Sequence, residues 1–158
     1  MKHTISVLVE NKFGVLARIA GLFSARGYNI SSLAVSETQD DALSCMTIVV
    51  EAEDEKILEQ IKKQLNRLVD VLTVYDFTKK EHNERELILV KVSCPAKNKT
   101  KLESILDKFQ AKMIQRKGEI TVIEFVGQQE EIKQLLHELE QFGIKELVRS
   151  GRIAMASS

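Results

Sequence analysis

The sequence predicts an α+β protein made of two βαββαβ units, each with an antiparallel sheet. Apolar residues alternate along strand-like runs and recur every three to four residues along helix-like runs, and this order occurs twice. A polar stretch separates the two halves. The chain has 158 residues, 44% hydrophobic and 29% charged, which is enough apolar side chain for one compact domain or two very small ones.

The first half begins with an alternating run at residues 5–9, which predicts a strand. After a helical stripe, residues 30–37 and 43–51 read as antiparallel strands, because the short polar residues between them suit a hairpin turn. Asp54 can cap a second helix, and residues 69–77 have the β-branched character of a last strand. The apolar stripes of the two helices are Val15, Leu16, Ile19, Leu22 and Phe23, and Ile57, Leu58, Ile61, Leu65 and Leu68.

Residues 78–86 are nine polar positions without a large apolar side chain, which is typical of a solvated linker. We therefore predict one domain at residues 1–78 and a second at residues 87–158, with the linker at residues 79–86.

The second half repeats the element order. A strand at residues 87–93 ends near Pro95, a helical stripe follows, and a tight turn at residues 116–119 joins two further strands. A second stripe ends at Gly143, and residues 144–155 supply the last strand. Because the halves share an order but barely match in sequence, we interpret them as an architectural repeat of ferredoxin-like units. Such a unit leaves one sheet face and its edges uncovered, which favours pairing of units within the chain, between chains, or both. We expect at least a homodimer.

Composition excludes several classes of function. Lys plus Arg and Asp plus Glu both number 23, so bulk charge does not favour nucleic acid or an anionic membrane surface. No stretch approaches the roughly 20 apolar residues of a membrane span, and the first residues do not resemble a signal peptide. Cys45 and Cys94 lie in apolar runs, as reduced, buried thiols do. We predict a cytoplasmic protein.

Catalytic and metal-binding patterns are missing from the sequence. His3, His82 and His137 have no spacing that would converge on a metal, and we expect solvated side chains. No serine lies in a Gly-x-Ser-x-Gly motif, and no glycine-rich phosphate loop occurs. We therefore predict no catalytic residues, no metal ligands and a non-enzymatic role.

One segment could bind a small ligand. Residues 11–16 join the first strand to the first helix, where unpaired N–H groups of Gly14, Val15 and Leu16 could donate to a carboxylate. Asn11 could complete a site for both charged ends of an amino acid. The alternative is that Asn11 only shapes the turn and Gly14 only begins the helix.

A second candidate lies at residues 26–30, where Gly27 ends the helix and Asn29 leads into the second strand. Capping and turn formation explain this segment adequately without a ligand.

Several segments together resemble the ACT domain of the acetohydroxyacid (acetolactate) synthase small subunit. They are Asn-Lys-Phe-Gly-Val-Leu at 11–16, Leu-Phe-Ser-Ala-Arg-Gly-Tyr-Asn-Ile at 22–30, Leu-Ser-Cys-Met-Thr-Ile at 43–48, and residues 58–65, 68–72 and 85–92. The resemblance is strong over residues 3–93 and thinner afterwards, recovering at residues 109–112 and 148–151.

The resemblance implies an N-terminal ACT domain and a C-terminal ACT-like domain. It further implies that the chain binds and activates a catalytic large subunit and confers feedback inhibition by valine in branched-chain amino acid biosynthesis. The effector would lie across a dimer interface, contacted by Asn11, Gly14, Val15 and Leu16 of one chain and by Asn29 and Ile30 of the other. Thiamine diphosphate, FAD and magnesium would belong to the catalytic partner, and this chain would hold no cofactor.

Phe13 departs from related loops, which often carry proline or a small residue there; it could narrow the pocket or pack under the helix. A competing hypothesis is an amino-acid-sensing ACT module that regulates or scaffolds a different enzyme or transporter. A small ferredoxin-like enzyme or RNA binder is the least supported reading, since catalytic residues and basic or aromatic patches are lacking.

Overall fold

The computed structural model describes residues 1–158 and confirms the predicted fold class, with two antiparallel sheets in βαββαβ order. Contacts divide the chain into a first unit, Met1–Asn83 with Arg152–Ser158, and a second unit, Glu84–Gly151. None of the helices is both long enough and apolar enough to span a membrane.

The first unit carries two helices on a four-stranded sheet of order β2-β3-β1-β4. Side chains at alternate positions of β1 and β3 face the helices, and the stripes of α1 and α2 cover them. The elements are β1 Lys2–Glu10, α1 Val15–Ala25, β2 Ile30–Glu37, β3 Leu43–Glu51, α2 Glu55–Asn66 and β4 Val71–Asp76. The core contains Ile5, Val7, Val9, Val15, Ile19, Phe23, Met46, Ile48, Val50, Leu58, Ile61 and Leu65.

The second unit repeats this arrangement with the sheet order β6-β7-β5-β8. Its elements are β5 His82–Ser93, α3 Lys99–Phe109, β6 Lys112–Lys117, β7 Ile120–Gly127, α4 Gln129–Leu139 and β8 Ile144–Arg149. Strand β9, Ile153–Ala156, follows in sequence and belongs to the first unit. Single turns of 3₁₀ helix precede α3 and follow α4. The buried core includes Ile88, Val90, Val92, Leu102, Leu106, Ile132, Leu135 and Leu139.

The structure differs from the predicted linker at residues 79–86. Strand β5 already begins at His82, so most of that segment is strand. Glu86 is buried, and its carboxylate accepts hydrogen bonds from the Nε and Nη2 groups of Arg149. A charged residue with such a partner need not be solvated, and composition alone does not reveal the partner.

The predicted last strand at residues 144–155 is two strands. Gly151, with φ +88°, lies between β8 and β9. The residues after it belong to the first unit, where the Arg152 N–H donates to Ser32 Oγ at 3.0 Å and its guanidinium donates to Thr4 Oγ1 at 3.1 Å. The predicted second domain at residues 87–158 therefore extends past the end of the second unit.

The prediction of solvated histidines is wrong for His3, which is 2% exposed and whose Nδ1 lies 3.2 Å from Thr78 Oγ1. His3 pairs with the core residue Val50 across β1 and β3, so it lies on the helix-facing side of the sheet. His137 is exposed. Both cysteines are free thiols, Cys94 being fully buried and Cys45 partly buried.

Candidate functional site

The turn between β1 and α1 is held against the turn between β2 and β3 by Asn11. Its backbone N–H donates to the Ala42 carbonyl at 2.8 Å, and its Nδ2 group donates to the Asp41 carbonyl at 2.8 Å and to Glu37 Oε1 at 3.1 Å. Asn11 therefore shapes the turn. Both amide protons are used by protein groups, so Oδ1 is the atom left to accept a bond from a ligand.

Gly14, the residue just before α1, has a backbone conformation that favours glycine. Its φ is +82°, in the left-handed region, and no side chain caps the helix at this end. The first turn also contains no acidic residue. The first N–H groups of a helix have no intrahelical acceptor and carry a partial positive charge, so this turn is suited to bind an anion.

The neighbours of Gly14 contribute unequally to this turn. The Val15 side chain is buried in the core, and its N–H donates to the Lys12 carbonyl at 3.3 Å. The groups of this turn that a ligand can contact are therefore the N–H groups of Gly14 and Leu16 and the half-exposed Leu16 side chain. Phe13 is fully exposed, so it does not pack under the helix.

Two ion pairs flank the turn. Lys12 Nζ lies 2.9 Å from Glu10, and the hydrogen bond and the negative charge of that carboxylate raise the pKa of Lys12. Arg18 lies 2.5 Å from Asp70 Oδ2, and its Nη1 atom would be 3.6 Å from a Cβ built on Gly14. Sequence analysis missed Arg18, although its spacing of four residues from Gly14 places both on one helix face.

Asn29 and Ile30 lie at the start of β2. The Asn29 side chain is exposed, and its carbonyl accepts a bond from the Glu51 N–H at 3.1 Å. Ile30 is half-buried against the core of the first unit. Asn29 therefore presents a polar group to solvent, and Ile30 presents an apolar surface.

Sheet register places these two groups of residues at opposite ends of the sheet. Glu10, next to Asn11, pairs with Leu43, whereas Ile30 pairs with Val50. Seven residues of β3 separate the two levels, a distance of about 23 Å at roughly 3.3 Å per residue. The structure thus brings Asn11, Gly14, Val15 and Leu16 together and keeps Asn29 and Ile30 apart from them. A single chain carries two half-sites.

Two grooves of the chain lie away from both half-sites. A groove of about 310 Å³ runs between α2 and β4, and one of about 240 Å³ lies on the sheet of the second unit. Neither is lined by any of the six predicted residues. Asn11, Leu16 and Asn29 are exposed, so a second surface would be needed to enclose a ligand at either half-site.

Comparisons with known families cover both halves of the chain. The family described as "AHAS small subunit-like ACT domain" matches residues 5–73, and the family described as "Small subunit of acetolactate synthase" matches residues 85–158.

Individual relatives match over nearly the whole chain. A probable acetolactate synthase small subunit of Archaeoglobus fulgidus is 45% identical over 98% of this chain and 96% of its own length. The acetolactate synthase small subunit of Bacillus subtilis is 39% identical over 99% of this chain and 91% of its own length.

A solved structure agrees with these relatives. The crystal structure of the acetolactate synthase small subunit from Thermotoga maritima superposes with a TM-score of 0.89 at 34% identity, covering 100% of this chain and 98% of that one. Family matches on both halves, relatives of similar length and a shared fold agree, and the chain belongs to the acetolactate synthase small-subunit family.

Proposed function

We propose that this chain is a cytoplasmic, non-catalytic regulatory subunit that binds and activates the catalytic subunit of acetolactate synthase and confers feedback inhibition by L-valine. Family membership supports the choice of partner. The uncapped, anion-attracting turn at Gly14 supports a carboxylate-bearing effector. In this proposal thiamine diphosphate, FAD and magnesium belong to the catalytic partner.

The separation of the half-sites is the observation that carries the proposal of a homodimer. Strand β2 is an edge strand whose only neighbour is β3. If two copies pair antiparallel through β2, the start of one β2 lies beside the end of the other. That end carries Glu37, which is bonded to Asn11. This pairing brings Asn29 of one chain close to the Gly14 turn of its partner.

Exposed apolar residues on β2 support the same pairing. Leu33 and Val35 are 37% and 40% exposed although they pair with the core residues Ile48 and Met46. They therefore lie on the helix-facing side of the sheet but beyond the cover of the helices. A partner strand would bury them, since side chains of adjacent strands on one face contact each other.

The completed site matches a small apolar amino acid. The carboxylate binds the N–H groups of Gly14 and Leu16, and Asn11 Oδ1 accepts a bond from the ammonium group. Asn29 of the partner subunit supplies a second polar contact, and Ile30 with Leu16 packs against the aliphatic side chain. Because valine has few heavy atoms, we expect an affinity in about the micromolar to millimolar range.

Feedback inhibition requires that valine bind one state of the complex more tightly than another. Valine bridges two chains in this proposal, so it favours the dimer state in which the bridging geometry is complete. A coupling free energy of about 1–3 kcal/mol between the valine site and the contact with the catalytic subunit gives a 5- to 150-fold effect.

Isothermal titration of the purified chain with L-valine tests the proposal, with D-valine, L-leucine and L-isoleucine as comparisons. We expect saturable binding that prefers the L-enantiomer of valine. A chain that binds none of these amino acids, alone or with the catalytic subunit, would contradict the valine assignment.

Replacing Asn11 with alanine should lower L-valine affinity about tenfold or more. The variant loses the ligand acceptor Oδ1 and the two side-chain hydrogen bonds of Asn11 that hold the turn, each worth roughly 0.5–1.5 kcal/mol. The matched control is Asn66→Ala at the exposed end of α2, which should bind L-valine like the wild type. Equal affinities for Asn11→Ala and the control would remove Asn11 from the site.

A further inference from the structure

Arg18 is a cation beside the proposed effector turn, and unlike Lys12, which pairs with Glu10, it lies against Gly14. Its Nη2 group donates to Asp70 Oδ2 at 2.5 Å, and its Nη1 atom would lie 3.6 Å from a Cβ on Gly14. The Arg18 side chain is 52% exposed, whereas that of Asp70 is only 10% exposed. No protein group accepts a hydrogen bond from Nη1, so one arm of the guanidinium is held by Asp70 and the other faces the turn.

The position of this cation is unfavourable for the helix alone. A positive charge near the N-terminal end of a helix is repelled by the helix dipole, and α1 has no acidic residue in its first turn to offset it. Asp70, which lies outside α1, offsets part of this repulsion through its ion pair with Arg18. An anion at the Gly14 turn would be attracted by the dipole and by the free arm of Arg18 together.

We propose that Arg18 is a ligand-binding residue of the effector site, which donates from Nη1 to the effector carboxylate, and that Asp70 is the positioning residue that holds the guanidinium there. This inference rests on the proposed function, because it assigns the charge recognition of that same site. With Arg18 in the site, the effector must carry a carboxylate. The backbone N–H groups alone would favour a carboxylate more weakly.

Asp70 is well placed for this role. Its carbonyl accepts a bond from the Glu10 N–H at 2.9 Å, so its backbone is fixed to the end of β1, next to the turn. Its side chain is only 10% exposed. Arg18 is therefore held between a fixed acid of the fold and the place where we put the ligand's acid.

The test compares L-valine with L-valinamide, which keeps the ammonium group and side chain but lacks the carboxylate. Both are titrated into the full chain by NMR, which reaches millimolar affinities. We expect Arg18→Gln to weaken L-valine about 10- to 100-fold, the loss of one charge-assisted hydrogen bond, and to change L-valinamide affinity less than twofold. Asp70→Asn should show the same selectivity with a smaller loss.

Two controls separate binding from folding. Arg67→Gln removes an exposed arginine at the end of α2 and should leave both affinities unchanged. The double variant Arg18→Gln, Asp70→Asn leaves no buried unpaired charge, so it should keep the wild-type melting temperature within a few degrees and still lose L-valine selectively.

Each outcome is decisive. Unchanged L-valine affinity in Arg18→Gln, or an equal loss for valine and its amide, would overturn the role of Arg18 while leaving the proposed function standing. A wild-type chain that binds neither compound, alone or with the catalytic subunit, would instead overturn the proposed effector.

Discussion

Replacing Arg149 with alanine should destabilise the second unit by about 3–5 kcal/mol, because it leaves a buried carboxylate without its partner. The Glu86 side chain is only 7% exposed, and Oε1 accepts a bond from Arg149 Nε at 2.8 Å and a second from Nη2. The pair joins β5 to β8. Hydrogen exchange read on peptides from residues 84–151 measures the effect within this unit, since a chain of two units need not unfold in one step.

Two companion variants identify the cause. Lys145→Ala removes an exposed cation from the same strand and should change stability by less than about 0.5 kcal/mol. The double variant Glu86→Leu, Arg149→Met removes the charge together with its partner and should recover most of the loss. If Arg149→Ala behaves like Lys145→Ala, Glu86 is solvated and the reading of residues 79–86 as a linker gains support.

Placing lysine at both Leu33 and Val35 should abolish dimer formation and L-valine binding together. Charged side chains on an edge strand prevent pairing with another strand, because they would be buried against the same charges of the partner. A monomer retains both half-sites but cannot join them, so we expect L-valine affinity to fall by more than about 100-fold. Analytical ultracentrifugation and titration calorimetry on one preparation measure both effects.

The control places lysines at two exposed valines of the second unit, Val126 and Val148, which are 50% and 54% exposed. This variant should remain dimeric and bind L-valine normally. A monomeric Leu33→Lys, Val35→Lys variant that still bound L-valine at wild-type affinity would show that one chain suffices for the site.

Most of the fold could be predicted because each element carries its own local signal. The Asp54 side chain accepts a bond from the Ile57 N–H at 2.9 Å, as an N-cap residue does. Gly27 has φ +70°, as the residue after a helix often has. These features involve residues at most three positions apart, so they can be recognised from the local sequence.

The elements that differed depend on partners distant in sequence. Glu86 and Arg149 are 63 positions apart, and the polar composition around Glu86 is the same whether the segment is solvated or paired. The tail contact of Arg152 with Ser32 spans 120 positions. His3 is buried because β1 continues its inward alternation to that position, a signal that was visible but outweighed by the polarity of histidine.

The candidate site likewise combines features set by neighbouring residues with features that depend on residues distant in sequence. The turn at Asn11 and Gly14 could be recognised from residue types and spacing within six positions. The opposite placement of Asn29 follows from the register of β2 on β3, which strand patterns do not specify. The Arg18–Asp70 pair spans 52 positions and is visible only in the folded unit.

A mixing experiment tests the central claim, an effector site shared by two chains, most directly. Asn11→Ala and Asn29→Ala homodimers each lack one residue in both sites, so each should bind L-valine weakly. When the two variants are refolded together, random pairing makes about half of the dimers mixed, and each mixed dimer has one intact site and one doubly altered site. We predict that about one site in four regains wild-type affinity. A mixture that recovers no high-affinity binding, although ultracentrifugation and mass spectrometry show mixed dimers, would contradict a site built from two chains.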